Sequence, residues 1–362
     1  MLKIVRRSAL AILAVIVMTT PWATQAASIK SSDVAVAAPL TDDEGTPSTD
    51  ISGISCLAPQ AEKRTCVVID DQGRLAQAAT MDGSILTGQA KIRLIGKKSA
   101  PGDVIGTEPG LNSEVVKCSK GKDSFKDLDG EAVALDDKYF YVVGSHGCSR
   151  NSNKFRASSF ILTRIPIDVV RTAAAVPNNI DEVGPKSTSY RLSEALLAAP
   201  TLGPFYALDL MTKNGLNIEG LAIFGGKLYA GLRAPVIGKK AYLVAVDRDW
   251  LFDADQPIAK ADIREIDLDL GGRGIRDLAV LSDGRLLALG GPAQADDLSF
   301  AFYIVEPASK TVTPIVDLVD IPDGGKAEAL QILAQGPTSL DLLVLFDSAK
   351  GGAPRRYLID MQ

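Results

Sequence analysis

Five short segments of mainly apolar residues, each opened by a polar residue, recur along the chain. The polar openers are Ser52, Glu131, Glu219, Asp277 and Glu328. Each segment is followed by a turn and a second apolar segment. Several of the turns, Asp136-Asp137, Gly225-Gly226 and Asp283-Gly284, contain residue types that accept the positive φ of a hairpin. The pattern predicts five β-hairpins, one at the start of each repeated unit.

Further strands follow these hairpins in most units. The pattern predicts them at 241–246 and 263–268 in the third unit, and at 300–305 and 312–316 in the fourth. The first two units are longer and need insertions, at 96–127 and at 165–216; the second insertion contains a predicted helix at 192–199. Repeated four-stranded units predict an all-β fold, a β-propeller. We expect five blades, or alternatively six if a degenerate blade occupies the second insertion.

The last unit ends one strand short, after a strand predicted at 357–359. A strand-like segment at 33–40 precedes the first unit, and we expect it to pair with the last blade and close the ring; the alternative is a disordered N-terminal tail. Residues 27–49 then form an N-terminal segment, and residues 50–362 form a single propeller domain.

The first 26 residues have the pattern of a secretory signal peptide. Lys3, Arg6 and Arg7 precede an unbroken apolar run at 9–18, and small residues lead to a cleavage site after Ala26. The run is shorter than the ~20 residues that span a bilayer as a helix. We therefore expect a periplasmic or secreted protein that does not contact the membrane after signal cleavage.

The chain has four cysteines, Cys56, Cys66, Cys118 and Cys148. An even number in an exported chain predicts disulfides. Of the three possible pairings we expect the one between sequence neighbours, Cys56–Cys66 and Cys118–Cys148. Four reduced, buried thiols are the alternative.

Charge and composition exclude several classes of function. The net charge is −5, whereas binding to nucleic acid needs a basic face, so we expect no nucleic-acid partner. His146 is the single histidine, which excludes metal sites that need two. The chain contains no G-x-S-x-G motif, P-loop or dinucleotide-binding glycine motif, so we expect no organic cofactor. We also expect the protein to be a monomer.

Four segments of the sequence resemble a known family. They are 127–146, Ile218-Glu-Gly-Leu-Ala222, Gly231-Leu-Arg-Ala-Pro235 and Arg276-Asp-Leu-Ala279. In this order they resemble the bacterial exported family known as domain of unknown function 3616, and the resemblance covers nearly all of the mature chain. It implies a propeller-like fold and no established activity. At the level of fold the family is distantly similar to the esterase-like phytases, although no phytase motif is present.

A propeller would bring acidic residues together at one end of its axis. The first strand of each blade lines the central channel, so Glu131, Glu219, Asp277 and Glu328 should converge there. The ends of the second strands should lie at the same rim, and they carry Asp70, Asp71, Ser145, His146, Arg233 and Asp347. Converging carboxylates need a cation, an arginine or raised pKa values. Oxygen ligands suit Ca²⁺ or Mg²⁺, and we predict Glu131, Glu219, Asp277 and Glu328 as the metal ligands.

Two functions fit this rim. The first is a divalent-cation-assisted hydrolase of phosphate esters or lactones, with the cation polarising an oxygen, His146 as general acid or base, and Arg233 holding an anion. The alternative function is a non-catalytic propeller whose face binds a small-molecule or protein ligand. A purely structural role for the acids is a separate alternative, in which they accept hydrogen bonds from backbone N–H groups of the neighbouring blade and fix the spacing of the blades.

Overall fold

Five small sheets make up the fold in the computed structural model of the chain. The structure describes residues 27–98, 104–110, 116–121, 124–150, 152–177, 186–294 and 296–361. The predicted signal peptide lies outside the described residues. Among the residues described, no helix is long and apolar enough to cross a membrane.

Each sheet is one blade, whose strands follow one another from the centre of the ring outward. Blade 1 contains β3 (Ile51–Cys56), β4 (Lys63–Asp70), β5 (Leu75–Asp82), β6 (Ile85–Arg93) and β2 (Ala35–Ala38). Blade 2 contains β8 (Gly130–Leu135), β9 (Tyr139–Gly144), β10 (Leu162–Pro166), β11 (Ser187–Ser189) and β7 (Val104–Ile105). Blade 3 contains β12 (Asn217–Phe224), β13 (Lys227–Ile237), β14 (Lys240–Asp247) and β15 (Arg264–Leu268).

The last two blades have four strands each. Blade 4 contains β16 (Gly274–Val280), β17 (Leu286–Gly291), β18 (Ala301–Glu306) and β19 (Thr311–Asp317). Blade 5 contains β20 (Lys326–Gln335), β21 (Ser339–Asp347), β22 (Arg355–Asp360) and β1 (Ser28–Asp33). Neighbouring strands are antiparallel in every blade, except that β2 and β7 pair parallel to β6 and β11.

The first strands of the blades form a closed ring. Strand β3 contacts β8, β8 contacts β12, β12 contacts β16, β16 contacts β20, and β20 contacts β3. The prediction of a five-bladed propeller is therefore confirmed. The second insertion does not form a sixth blade, because it contains the helices α1 (Ile167–Ala174), α2 (Arg191–Ala198) and α3 (Leu210–Lys213). Short 3₁₀ helices lie at Ala157–Phe160, Gly203–Phe205, Trp250–Phe252, Ile258–Lys260 and Lys350–Gly352.

An N-terminal strand closes the ring, but it lies earlier in the chain than predicted. Strand β1 pairs with β22 from Ser28 opposite Asp360 to Asp33 opposite Arg355. The predicted segment, 33–40, instead leaves the last blade, and β2 joins the outer edge of the first blade. Ile29 packs against the apolar core between blades 4 and 5, so β1 supplies one apolar contact that its polar sequence does not suggest.

Turns and disulfides fix the hairpins. Gly225 and Gly226 adopt φ of +58° and +75° between β12 and β13, as predicted for this turn. The Asp136 turn works differently: its carboxylate accepts hydrogen bonds from the backbone N–H of Lys138 and Tyr139 at 2.7 and 2.8 Å, and positive φ is not needed. Both predicted disulfides are confirmed, and Cys56–Cys66 joins facing residues of β3 and β4.

Candidate functional site

Each central strand has a β-bulge at the same place. The residues left out of the pairing ladder are Ser52, Glu131, Glu219, Arg276 and Glu328. A bulge changes the direction in which a side chain points, and all five residues are buried. Side-chain contacts join Ser52, Glu219, Arg276 and Glu328, and Glu131 lines one small cavity together with Glu219 and Glu328, so all five lie at one end of the axis. We call these five residues the bulge ring.

The fourth member of the bulge ring differs from the prediction. The repeat pattern predicted Asp277 at this position, but the residue left out of the ladder is Arg276, one position earlier. An alignment of Ile218-Glu-Gly-Leu-Ala222 with Ile275-Arg-Asp-Leu-Ala279 places Arg276 opposite Glu219. The repeated Ile and Leu-Ala positions are the sequence signal that identifies Arg276.

Two arginines neutralise two of the predicted metal ligands. Arg276 forms an ion pair with Glu328, and its Nε lies 2.9 Å from Glu219 Oε2, without the alignment of a hydrogen bond. Arg233 donates from Nη1 to Glu219 Oε1 at 2.7 Å. Ser52 Oγ donates to Glu328 Oε2 at 3.2 Å. Burial lowers the pKa of Arg276 to about 10, opposed by the charge of Glu219, so this arginine stays charged at neutral pH.

Asp277 connects two blades through the backbone. Its carboxylate accepts hydrogen bonds from the N–H of Leu278 at 2.7 Å and from the N–H of Leu330, in the next blade, at 2.6 Å. Burial raises the pKa of Asp277 well above its usual value, and these hydrogen bonds oppose the rise. The hydrogen bond to Leu330 gives Asp277 the structural role described above as an alternative, in which an acid holds the neighbouring blade in position.

Glu131 is the one acidic member of the bulge ring without such a partner. Within the described part of the chain, its carboxyl group makes no hydrogen bond or ion pair, although the residue is only 7% exposed. It lines a cavity of about 30 Å³ together with Asp71, Asp129, Arg150 and Arg233. Burial raises the pKa of Glu131 well above its usual value, and the negative charge of Glu219 raises it further.

Two aspartates share this cavity with Glu131. Burial raises the pKa of Asp71 well above its usual value, and the neighbouring charge of Asp129 adds to the rise. Burial also raises the pKa of Asp129, to about 6, although a hydrogen bond from Ser145 Oγ opposes it. We call Asp71, Asp129 and Glu131 the carboxyl trio. Arg150 is exposed, so the cavity reaches the protein surface.

His146 lies apart from the carboxyl trio. It is fully buried, does not line the cavity, and its ring meets the ring of Phe160 edge to face at 6.0 Å. Its Nδ1 lies 2.9 Å from the carbonyl oxygen of Gly144, which can only accept, so Nδ1 carries the proton. Burial lowers the pKa of His146 to about 4, which makes the ring neutral at pH 7. Its predicted acid–base role stays a prediction.

The other ends of the second strands have their own partners. Asp70 accepts hydrogen bonds from Ser48 Oγ and from the N–H of Gln72, and burial raises its pKa to about 6. Asp347 accepts a hydrogen bond from Lys326 Nζ at 2.6 Å. Unlike Asp347, the carboxyl trio has no ion-pair partner among the described residues, and unlike Asp70 and Asp277, it lines the cavity.

Three of the four predicted metal ligands, Glu131, Glu219 and Glu328, line the same cavity of about 30 Å³. Glu219 and Glu328 also form ion pairs with arginines, whereas Asp277 contacts backbone N–H groups and does not line the cavity. Across the described ranges of the chain, no three His, Cys, Asp or Glu side chains are arranged to hold a metal ion. Binding of Ca²⁺ or Mg²⁺ stays a prediction.

A comparison with protein families gives one match. The model described as "Protein of unknown function (DUF3616)" matches residues 112–357, which is more than half of the chain. No curated protein is significantly similar to the chain in sequence.

Solved structures with a distantly similar fold include glycoside hydrolases. A family 117 glycoside hydrolase of the marine bacterium Zobellia galactanivorans has 9% sequence identity and a TM-score of 0.42, with 93% of this chain and 91% of that chain covered. A GH43 β-1,3-galactosidase, BT3683, also has 9% identity and a TM-score of 0.42, over 90% and 94% of the two chains. Similarity at this level carries no information about the activity of the present protein.

Proposed function

The chain belongs to the DUF3616 family of proteins of unknown function, so its activity must be argued from its own residues, and we propose that it is an exported hydrolase of small phosphate esters or lactones. The reaction takes place at the cavity lined by the carboxyl trio. The observation that carries the proposal is Glu131, a buried carboxyl group without a partner at the wall of a cavity that reaches the surface.

The carboxyl trio provides an acid and a base at the same pH. Burial and the charge of Glu219 raise the pKa of Glu131 well above its usual value, which favours its protonated form, whereas Asp129, with a pKa raised to about 6, is mainly ionised at neutral pH. Neighbouring carboxyl groups with separated pKa values suit general acid and general base catalysis. Such a pair in a cavity is a candidate catalytic site on physical grounds.

The proposed reaction is a hydrolysis in which all atoms are accounted for. Asp129 takes a proton from water, the water oxygen forms a bond to phosphorus or to the lactone carbonyl carbon, and the bond to the leaving oxygen breaks. Glu131 gives its proton to that oxygen. Arg150 and Arg233, which line the same cavity, stabilise the negative charge on the substrate oxygens. A cavity of about 30 Å³ has room for about one water molecule, so it holds the attacking water while the substrate approaches from the surface.

The divalent cation predicted from the sequence would bind to the same carboxyl trio, because the other predicted ligands have partners. A cation and a set of protons are two ways to neutralise these carboxyl groups. With a cation bound, the carboxylates would be ionised, and the cation would polarise the substrate oxygen.

The test is a screen of the purified mature protein against p-nitrophenyl phosphate, p-nitrophenyl acetate and dihydrocoumarin, with EDTA or with added Ca²⁺. We expect turnover of the phosphate ester or the lactone, and a loss of at least 100-fold in Glu131→Gln and Asp129→Asn, since general acid–base groups contribute roughly 10²–10⁴-fold. Glu44→Gln, at an exposed glutamate, is the matched control and should retain full activity.

The EDTA arm separates the two forms of the site. Activity that EDTA abolishes and Ca²⁺ restores would assign the cation form, and activity that EDTA does not change would assign the protonated form. Turnover that is equal in the wild type and Glu131→Gln would contradict the proposal. No turnover of any substrate would favour the non-catalytic binding function.

A further inference from the structure

The opposite end of the axis contains a second, larger cavity. It has a volume of about 400 Å³ and is lined by the later halves of all five central strands, β3, β8, β12, β16 and β20. The cavity next to Glu131 is lined by residues at the start of the same strands. The two cavities therefore lie at opposite ends of the ring, and we call the larger one the funnel.

The floor of the funnel is a ring of aliphatic side chains. Two residues after each member of the bulge ring, the central strands carry Ile54, Val133, Leu221, Leu278 and Leu330. All five line the funnel. Each is 3% exposed or less. The bulge ring is thus polar and largely charged, whereas this second ring of side chains is entirely aliphatic.

The wall above this floor is mainly apolar. Two residues further along the strands, Cys56, Leu135, Ile223, Val280 and Ile332 line the funnel. The polar residues of the wall are Ser55, Ser282, Gln331 and Gln335. Val280 and Ile332 are partly exposed, so the funnel is open at this level. Its volume falls in the range of small-molecule pockets, ~300–1,000 Å³, which are lined mainly by apolar side chains with a few polar groups.

One cation lies at the mouth of the funnel. Arg64, on β4, lines it and donates hydrogen bonds from its guanidinium to the carbonyl oxygens of Leu57 and Leu333. In the part of the chain that the structure describes, no carboxylate lies within ion-pair distance of this guanidinium, and Asp341, which attracts it from further away, is paired with Arg356. Because both partners are neutral carbonyl groups, the positive charge of Arg64 has no counter-ion of its own. The guanidinium also has further N–H groups that can donate to an anion.

We propose that the funnel binds a small amphiphile with an anionic head group, with its aliphatic part on the floor and its carboxylate on Arg64. Charge complementarity selects the head group, because Arg64 is the charged side chain among those lining the funnel. The aliphatic rings select the tail, since they offer no buried polar group at the floor. This site is independent of the chemistry proposed at the carboxyl trio.

The test is calorimetric titration of the purified mature protein with sodium dodecanoate below its micelle concentration. We expect binding with a negative heat-capacity change, which is the signature of apolar burial. Arg64→Gln should weaken binding by about 10-fold or more, because a hydrogen bond to a charged group contributes that much. Arg264→Gln, at an exposed arginine on an outer strand, is the matched control and should bind as the wild type does.

Further arms test the head group, the tail and the location. Dodecan-1-ol should bind equally to the wild type and Arg64→Gln, and dodecyltrimethylammonium should bind more weakly than dodecanoate. Val280→Thr, which adds a hydroxyl to the wall with little change in shape, should weaken dodecanoate binding several-fold. Glu131→Gln, at the other end of the axis, should not change it. No binding of dodecanoate to the wild type, or equal binding by Arg64→Gln, would overturn the proposal.

Discussion

Replacement of Arg276 by methionine tests the charge arrangement of the bulge ring. Arg276 is 1% exposed and lies between Glu219 and Glu328. Its loss leaves Glu328 with Ser52 as its remaining partner, while Glu219 keeps Arg233. Removal of one partner of a buried ion pair leaves an uncompensated charge, which destabilises a protein by about 3–5 kcal/mol. We expect Arg276→Met to lower the free energy of unfolding at pH 7 by this amount.

The measurement is urea unfolding, followed by circular dichroism, of the wild type, Arg276→Met and the double variant Arg276→Met/Glu328→Gln. The double variant should recover much of the loss, because Glu328→Gln removes the charge that lost its partner while Glu219 keeps its ion pair with Arg233. As a control, Arg264→Met removes an exposed ion pair with Asp262 and should change stability by about 0–1 kcal/mol. If Arg276→Met is as stable as this control, or if the double variant recovers nothing, the ion-pair account is wrong.

Three further predictions concern pH and disulfides. The pKa of Asp129 is about 6 in the folded protein, against the usual 3.8, so its contribution lowers stability as pH rises from about 4 to about 6. Asp129→Asn should remove up to about 3 kcal/mol of that decline, at 1.36 kcal/mol per pH unit, whereas the exposed Asp255→Asn should not. Urea unfolding at pH 4 and pH 7 measures the decline in each variant. An equal change in the free energy of unfolding between the two pH values in both variants would contradict this prediction. The pKa of His146 is about 4, below the usual 6.5, so its contribution to stability is present above pH 6.5 and is lost as pH falls towards 4. His146→Asn, which suits the positive φ of this residue, should lose less stability than the wild type over that interval; an equal loss in the two proteins would argue against a buried neutral ring. Loss of the Cys118–Cys148 disulfide should lower the free energy of unfolding by about 1 kcal/mol more than loss of Cys56–Cys66, because it closes the longer loop, with sequence separations of 30 and 10 residues. Urea unfolding of the two double Cys→Ser variants measures the difference. The reverse order would show that chain entropy does not dominate.

The blades could be predicted from the sequence because each repeats the same local pattern. A polar opener, an apolar strand, a turn and a second strand specify a hairpin wherever they occur, and five hairpins require a ring. The closing strand could not be located in this way. Strand β1 is polar, and only its pairing with β22 distinguishes it from the neighbouring segment 33–40.

The end of the axis where the acids meet could be predicted, but their partners could not. Glu131, Glu219 and Glu328 occupy the equivalent positions that the repeat gave them. The repeat places Arg276 in the ring of equivalent positions, but it does not show that Arg276 pairs with Glu219 and Glu328, or that Arg233, on a second strand, pairs with Glu219. The aliphatic residues at the floor of the funnel also recur in the sequence, two positions after each member of the bulge ring. Apolar residues in strands are expected in any core, however, so this pattern does not by itself indicate a function.

The central claim is that Glu131 is a carboxyl group with a raised pKa in a cavity at the centre of the ring. A ¹³C NMR titration of glutamate side-chain carboxyl groups, with the Glu131 signal assigned by its absence in Glu131→Gln, measures this directly. We predict that Glu131 titrates well above the usual glutamate range in protein freed of metal ions, because burial and the charge of Glu219 raise its pKa. A Glu131 signal that titrates at or below the usual range would show that the carboxyl group is solvated or ion-paired, and would contradict the account.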